Sequence, residues 1–195
     1  IRAVPGRSGG EGLSHFDVYL WDQPNGGRLT ARSGGRRVGR TRTGADSVGV
    51  RTWTVPANGA RSLELRPSGD GEVRIFGVDA RTGRPGVLVD TLGINGAKIW
   101  DQLSWDGDAL RAQVRRMGPD LIAFGYGSNE ALSDRSLDRY EADLREVLLR
   151  SQLTSPQASC LLIGPTDQAY RPRRSKVWRT RPRPAEITEV QRRVA

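Results

Sequence analysis

The chain has 195 residues, 36% of them hydrophobic, and carries 31 Lys and Arg against 22 Asp and Glu for a net charge of +9. That length can bury a real core in one or two domains, and no apolar run approaches the roughly 20 residues that a membrane-spanning helix requires. A single cysteine, Cys160, excludes an internal disulfide and a multi-cysteine metal site.

The first eighty residues read as an antiparallel β unit, residues 1–80. Short stretches at 16–21, 28–31, 48–54, 61–66 and 72–78 have strand character, several with period-two alternation. Turn sequences separate them: Pro24-Asn-Gly-Gly27, Gly34-Gly35, Asn58-Gly59 and Pro67-Ser-Gly-Asp-Gly71. The Gly/Arg-rich stretch 33–49 is the weakest-ordered part by composition. His15, the sole histidine, precedes the alternating run Phe16-Asp-Val-Tyr-Leu-Trp21. Its neighbour Ser14 should point to the opposite face of a strand, which leaves His15 no nucleophile to activate.

From residue 81 onward the texture changes to alternating strands and helices. A short apolar strand in Gly86-Val-Leu-Val-Asp-Thr-Leu-Gly-Ile-Asn-Gly-Ala97 runs into a glycine-rich turn. A helix follows at 108–117, with Leu110, Val114 and Met117 on one face. Next comes Asp120-Leu-Ile-Ala-Phe-Gly-Tyr-Gly-Ser-Asn-Glu130, an apolar run that stops in a turn presenting Asn129 and Glu130. Its continuous apolar character suits a strand covered on both faces. A second helix, 136–150, is marked by Leu137, Tyr140, Leu144 and Leu148, and a third strand by Ser159-Cys-Leu-Leu-Ile-Gly-Pro-Thr-Asp167, where Cys160 is expected as a buried packing residue. This order predicts a right-handed parallel crossover sheet. The turns at Gly93/Gly96, Gly127/Asn129 and Pro165/Asp167 should then converge on one edge, beyond the carboxyl ends of the strands where ligands bind.

Charge and amphipathicity mark the last part of the chain. Only Lys98 and Lys176 are lysine, and arginine is spread through nearly every segment, so the net charge predicts no nucleic-acid partner. The exception is the run from Arg171 to Pro184, a basic loop expected on the same edge as Asn129 and suited to an anionic glycan. Ile187, Val190 and Val194 make a terminal amphipathic helix with no following element to cover it. The chain also starts at Ile rather than Met, and both ends suggest the middle of a longer protein.

Three stretches together resemble a known family. Gly93-Ile-Asn-Gly-Ala97 and Gly125-Tyr-Gly-Ser-Asn-Glu-Ala131, followed by Leu161-Leu-Ile-Gly-Pro-Thr-Asp167, are similar to the second and third conserved blocks of SGNH (GDSL-type) hydrolases. The likeness is to the branch that includes peptidoglycan O-acetylesterases, whose third block has Thr where Ser128 stands here. The resemblance implies a three-layer, flavodoxin-like α/β hydrolase domain over 81–195, incomplete, preceded by an antiparallel β-sandwich module similar to a carbohydrate-binding module. It implies that the Gly96 N–H and the Asn129 side-chain amide form an oxyanion hole, and that Trp21 and Trp53 are candidates for stacking on sugar rings. It further implies an acetylated glycan as substrate, a periplasmic or extracellular setting, and no metal or organic cofactor.

The chemistry accounts for these residue types independently. Ester hydrolysis places negative charge on the former carbonyl oxygen, and each rigid N–H donor aimed at it is worth roughly 3 kcal/mol. An amide donates without titrating. The Gly-Asp-Ser nucleophile turn and the Asp-x-x-His pair of such hydrolases are absent from the 195 residues, so serine, aspartate and histidine are expected outside them. An O-acetyltransferase on the same scaffold and a non-catalytic glycan-binding protein remain as alternatives.

Overall fold

Alternation in the first part of the chain builds two antiparallel sheets that share one core. The computed structural model describes residues 2–3, 13–174 and 176–195, and the chain divides into two compact units, Ile1–Thr91 and Leu92–Ala195. In the first unit the strands are β1 (Arg2–Ala3), β2 (His15–Asp22), β3 (Arg28–Ser33), β4 (Arg36–Arg42), β5 (Gly49–Pro56), β6 (Leu63–Pro67) and β7 (Arg74–Arg81). They form sheets of order β1-β6-β3-β4 and β5-β2-β7. Phe16, Val18 and Leu20 of β2 point inward and meet Leu29 and Ala31 of β3, Val55 of β5, and Leu63 and Leu65 of β6. Each such fully buried Val, Leu or Phe contributes roughly 1.5–3 kcal/mol relative to exposure.

The stretch 33–49, which composition marks as weakly ordered, contains β4, and this corrects the expectation. Gly34 and Gly35 take φ of 56° and 80°, the two left-handed positions of a type I′ turn, whose twist matches that of a hairpin. Six register pairs from Arg28↔Arg42 to Ser33↔Arg36 follow. The Trp53 indole lies across Gly39, so close that a Cβ there would stand 2.9 Å from Cζ2.

On the outer face of β5-β2-β7, polar side chains are tied across strands. The Tyr19 hydroxyl donates to Asp79 Oδ2 at 2.5 Å, Arg81 Nη2 donates to the same oxygen at 3.0 Å, and Thr54 Oγ1 donates to Asp17 at 2.6 Å.

The second unit contains α1 (Gly107–Met117), β8 (Leu121–Gly125), α2 (Leu137–Thr154), β9 (Ser159–Ile163), the short strands β10 (Ala169–Tyr170) and β11 (Arg179–Thr180), and α3 (Arg183–Val194), with a 3-10 helix at Ile99–Ser104. Helix starts follow their caps: Asp106 accepts from the N–H groups of Asp108 and Ala109, and Ser136 from that of Arg139. Gly118, at φ 58°, closes α1 in the left-handed conformation. β8 and β9 pair in parallel, from Leu121↔Ser159 to Gly125↔Ile163, as expected of strands linked through a helix. Ile122, Phe124 and Leu162 face a core made with Ile99, with Tyr140, Leu144 and Val147 of α2, and with Ile187 and Val190 of α3.

Four expectations for the region after residue 81 need correction. The first expected strand, at 86–90, is not formed: Val87 and Val89 are 94% and 85% exposed, and no neighbouring strand supplies the hydrogen bonds a parallel strand needs. β8 and β9 are covered on one face only, so Leu121, Leu161 and Ile163 of the other face are exposed, because among the described residues the sheet has two strands and helices on a single side. Cys160 is consequently exposed rather than buried. Finally, α3 is not an uncovered helix, since Ile187 and Val190 are packed into the core beside α2.

Burial also sets how each unit responds to alkali. Tyr19 and Tyr140 have their phenol pKa values pushed up to about 12, both chiefly by burial, with Asp79 adding to the first and Glu130 to the second. The folded state therefore holds these protons more tightly than the unfolded chain. Their contribution to stability is complete below the ordinary value of 10 and is lost as pH rises towards 12. Tyr140→Phe is expected to remove one of the two phenols that titrate in the latest phase of the phenolate absorbance titration, halving its amplitude, and to lessen the fall in unfolding free energy over that window. A titration curve identical to that of the parent chain would show that Tyr140 is not one of the late groups.

Candidate active site

Three loops meet beyond the carboxyl ends of β8 and β9. The first is the turn Ile94 to Ala97, closed by the Ala97 N–H on the Ile94 carbonyl at 3.0 Å, with Gly96 at φ 81°. That is the third position of a type II turn, where a side chain is strained. No atom lies within 4 Å of where a Gly96 Cβ would be, so this glycine is needed for its backbone and its surroundings are open.

The second loop follows β8. Asn129 Nδ2 donates to the Ala97 carbonyl at 2.9 Å, which brings the Asn129 amide to the residue next to Gly96. A carboxamide nitrogen carries two N–H donors, and one of them is spent on Ala97. Glu130, 2% exposed, fastens the two loops with both oxygens. Its Oε1 accepts from the Ile99 N–H at 2.6 Å and its Oε2 from the Gly127 N–H at 2.8 Å. Gln102 Nε2 adds a bond to the Tyr126 hydroxyl at 3.0 Å.

The third loop follows β9. Gly127, at φ 128°, takes Pro165 so closely that a Cβ there would be 2.7 Å from Pro165 Cδ, which no side chain could occupy. Gln168 Nε2 donates to the Ser128 carbonyl at 2.8 Å, and Gln191 Nε2 to the Tyr126 carbonyl at 2.9 Å. The turns at Gly96, Gly127/Asn129 and Pro165 are thus linked by direct contacts.

No family model and no curated protein matches the chain. Among solved structures, a peptidoglycan O-acetylesterase is similar to it. The TM-score is 0.74 at 18% identity, covering 97% of this chain and 51% of that one. This likeness is one of fold, α/β in character with antiparallel sheets, and the relationship is distant. The chain spans about half the length of the esterase it resembles.

The tryptophans lie on different faces of the β5-β2-β7 sheet. Trp53 packs against the sandwich core over Gly39, whereas Trp21 stands with the exposed Phe76 in an edge-to-face pair, ring centroids 5.8 Å apart. Trp21 is therefore partly open to solvent, whereas Trp53 is engaged in packing.

Ser14 and His15 are closer than strand alternation predicts: Ser14 Oγ is 2.7 Å from His15 Nδ1, and His15 Nε2 is 3.7 Å from Asp17 Oδ2. Ser14 is itself held to both neighbouring strands, by its N–H on the Arg81 carbonyl and its carbonyl on the Ala57 N–H. The Ser14 hydroxyl also lies 3.1 Å from the Arg81 carbonyl, and which of the two contacts its single proton serves follows from the His15 tautomer. Asp90, expected near the loop edge, sits instead by Asp79, with burial first and that carboxylate second pushing its own carboxyl above the usual range.

The sequence marked the Pro165 turn, since a proline at a strand end shows where pairing stops, but sequence reasoning missed the roles of Ala97, Gln168 and Gln191, which carry no local signal.

Proposed function

We propose that this chain is the β module and the central α/β part of an SGNH-type serine esterase that removes O-acetyl groups from a carbohydrate, with peptidoglycan as the polymer. The observation that carries the reading is the bond from Asn129 to the Ala97 carbonyl, which sets an amide donor beside the Gly96 turn. The fold likeness to a peptidoglycan O-acetylesterase supports it.

In this reading a serine outside residues 1–195 attacks the acetyl carbonyl carbon, and the carbonyl electrons move onto oxygen. The Gly96 N–H and the free Asn129 N–H receive that charge. An Asp–His pair, also outside these residues, takes the serine proton and returns it to the departing sugar oxygen. Water then releases acetate. Trp21, paired with Phe76, receives a sugar ring of the same polymer on the β module. An acetylated cell-wall polymer calls for a periplasmic or extracellular setting.

The test is acetate release from O-acetylated peptidoglycan by the protein carrying residues 1–195 in their natural context, with and without an acceptor sugar. Release to water is the expected result. Transfer of the acetyl group to the sugar in preference to water would make the protein an acetyltransferase, and a reading frame with neither Gly-Asp-Ser nor Asp-x-x-His would leave a glycan-binding protein.

A further inference from the structure

The β10–β11 hairpin combines a dense run of cations with exposed aromatic rings. Residues 168–182 contain Arg171, Arg173, Arg174, Lys176, Arg179 and Arg181 and no acidic residue. Several arginines elsewhere are neutralised locally, Arg28 by Asp70, Arg51 by Asp22, Arg145 by Glu141 and Arg150 by Glu146, although those of β4 have no acidic partner among the described residues. Among the described residues, none of the hairpin's six cations is in an ion pair. Six like charges on one short hairpin repel one another, and an anionic ligand relieves that repulsion.

Aromatic side chains are interleaved with these cations. Trp178 is 64% exposed, and Tyr170 is exposed as well. Arg171 lies over the Trp178 ring at 5.8 Å and Arg181 over the Tyr170 ring at 5.0 Å, so each ring is oriented by a guanidinium. The base of the hairpin is tied to the candidate site: Arg181 N–H donates to the Gln168 carbonyl at 2.8 Å, and Gln168 Nε2 donates to the carbonyl of Ser128, the neighbour of Asn129.

We propose that this hairpin is a subsite for a carboxylate-bearing glycan strand. Trp178 and Tyr170 lie against sugar rings, and the surrounding guanidinium groups meet the carboxylates. The proposal rests on the reading of the Asn129 loop as the ester site, because the anchor at Ser128 leads a polymer on the hairpin into that loop. It specifies the substrate class: an acidic rather than a neutral acetylated glycan. A lipid surface fits less well, since an apolar patch as small as this one, ringed by arginine, offers little area to bury in a bilayer.

Calorimetric titration of the 195-residue chain with polygalacturonate and with the same polymer fully methyl-esterified tests it. The carboxylated polymer is expected to bind about tenfold or more tightly at low salt, with the difference shrinking as salt screens the charges. Removing two exposed charges in Arg173→Gln/Lys176→Gln should weaken binding about fivefold, and Trp178→Ala about tenfold. Both changes lie on an exposed hairpin, and an unchanged circular dichroism spectrum controls for folding. Equal affinity for the two polymers, or no effect of either variant, overturns the proposal. Tighter binding to phosphatidylglycerol vesicles or to single-stranded DNA than to polygalacturonate also overturns it. Acetate release is not part of this measurement, so binding without turnover defeats the esterase reading alone, and turnover without charge-selective binding defeats this one alone.

Discussion

Asn129→Ala is expected to lower kcat for acetate release by about a hundredfold to a thousandfold, with KM little changed, the usual cost of deleting one oxyanion donor. Of the two N–H groups of the native side chain, one is held by the Ala97 carbonyl, and the proposed function gives the other to the developing oxyanion. Alanine removes both. The structural share is the smaller: one hydrogen bond to a partly buried carbonyl is worth about 1 kcal/mol of stability, whereas the kinetic loss corresponds to about 3–4 kcal/mol. Steady-state kinetics and urea unfolding of the same variant, in the protein carrying these residues in natural context, separate the two. A kcat equal to that of the parent would remove Asn129 from the chemistry, whatever happened to stability.

Glu130→Ala is expected to be the most destabilising single change near the site, by about 3–5 kcal/mol. It strips the acceptors from the buried N–H groups of Ile99 and Gly127, which belong to different loops. Hydration cannot restore them without opening the junction where Glu130 is 2% exposed. Glu130→Gln keeps one acceptor oxygen and presents an NH2 group to the other amide, so it should fall between the two. Urea unfolding gives the energies, and hydrogen exchange at the Ile99 and Gly127 amides locates them. If both amides stayed protected in the alanine variant, Glu130 would not be the fastener between the loops.

Much of this arrangement was legible in residue order, for a physical reason. A parallel pair needs a crossover, and the helical spacing of Leu137, Tyr140, Leu144 and Leu148 between two apolar runs could mean little else; α2 joins β8 to β9 accordingly. Glycines at Gly96 and Gly127 marked turns because the left-handed conformation there excludes side chains. Other features depended on neighbours and were not legible. The run at 87–90 has strand composition, yet composition cannot supply a hydrogen-bonding partner, and the backbone there joins no sheet. β4 was hidden by its arginines, which do not prevent a strand when a type I′ turn delivers it to β3. Burial of β8 and β9 was overestimated because an apolar sequence records what a strand is suited to, not how many layers cover it. The Ser14–His15 contact was missed because alternation describes where strand side chains point, not how close two neighbouring ones can come at a strand's first residues.

The uncovered side of the β8–β9 pair has a consequence for handling the molecule. Leu121, Leu161 and Ile163 lie open to solvent, and among the described residues each of these two strands has a partner along one edge only. An unguarded row of backbone donors and acceptors next to oily side chains is a template for cross-chain pairing. Copies of this segment in concentrated solution will therefore find one another, and turbidity that rises with protein concentration will reflect that adhesive rim rather than any fault in the sandwich or the helices.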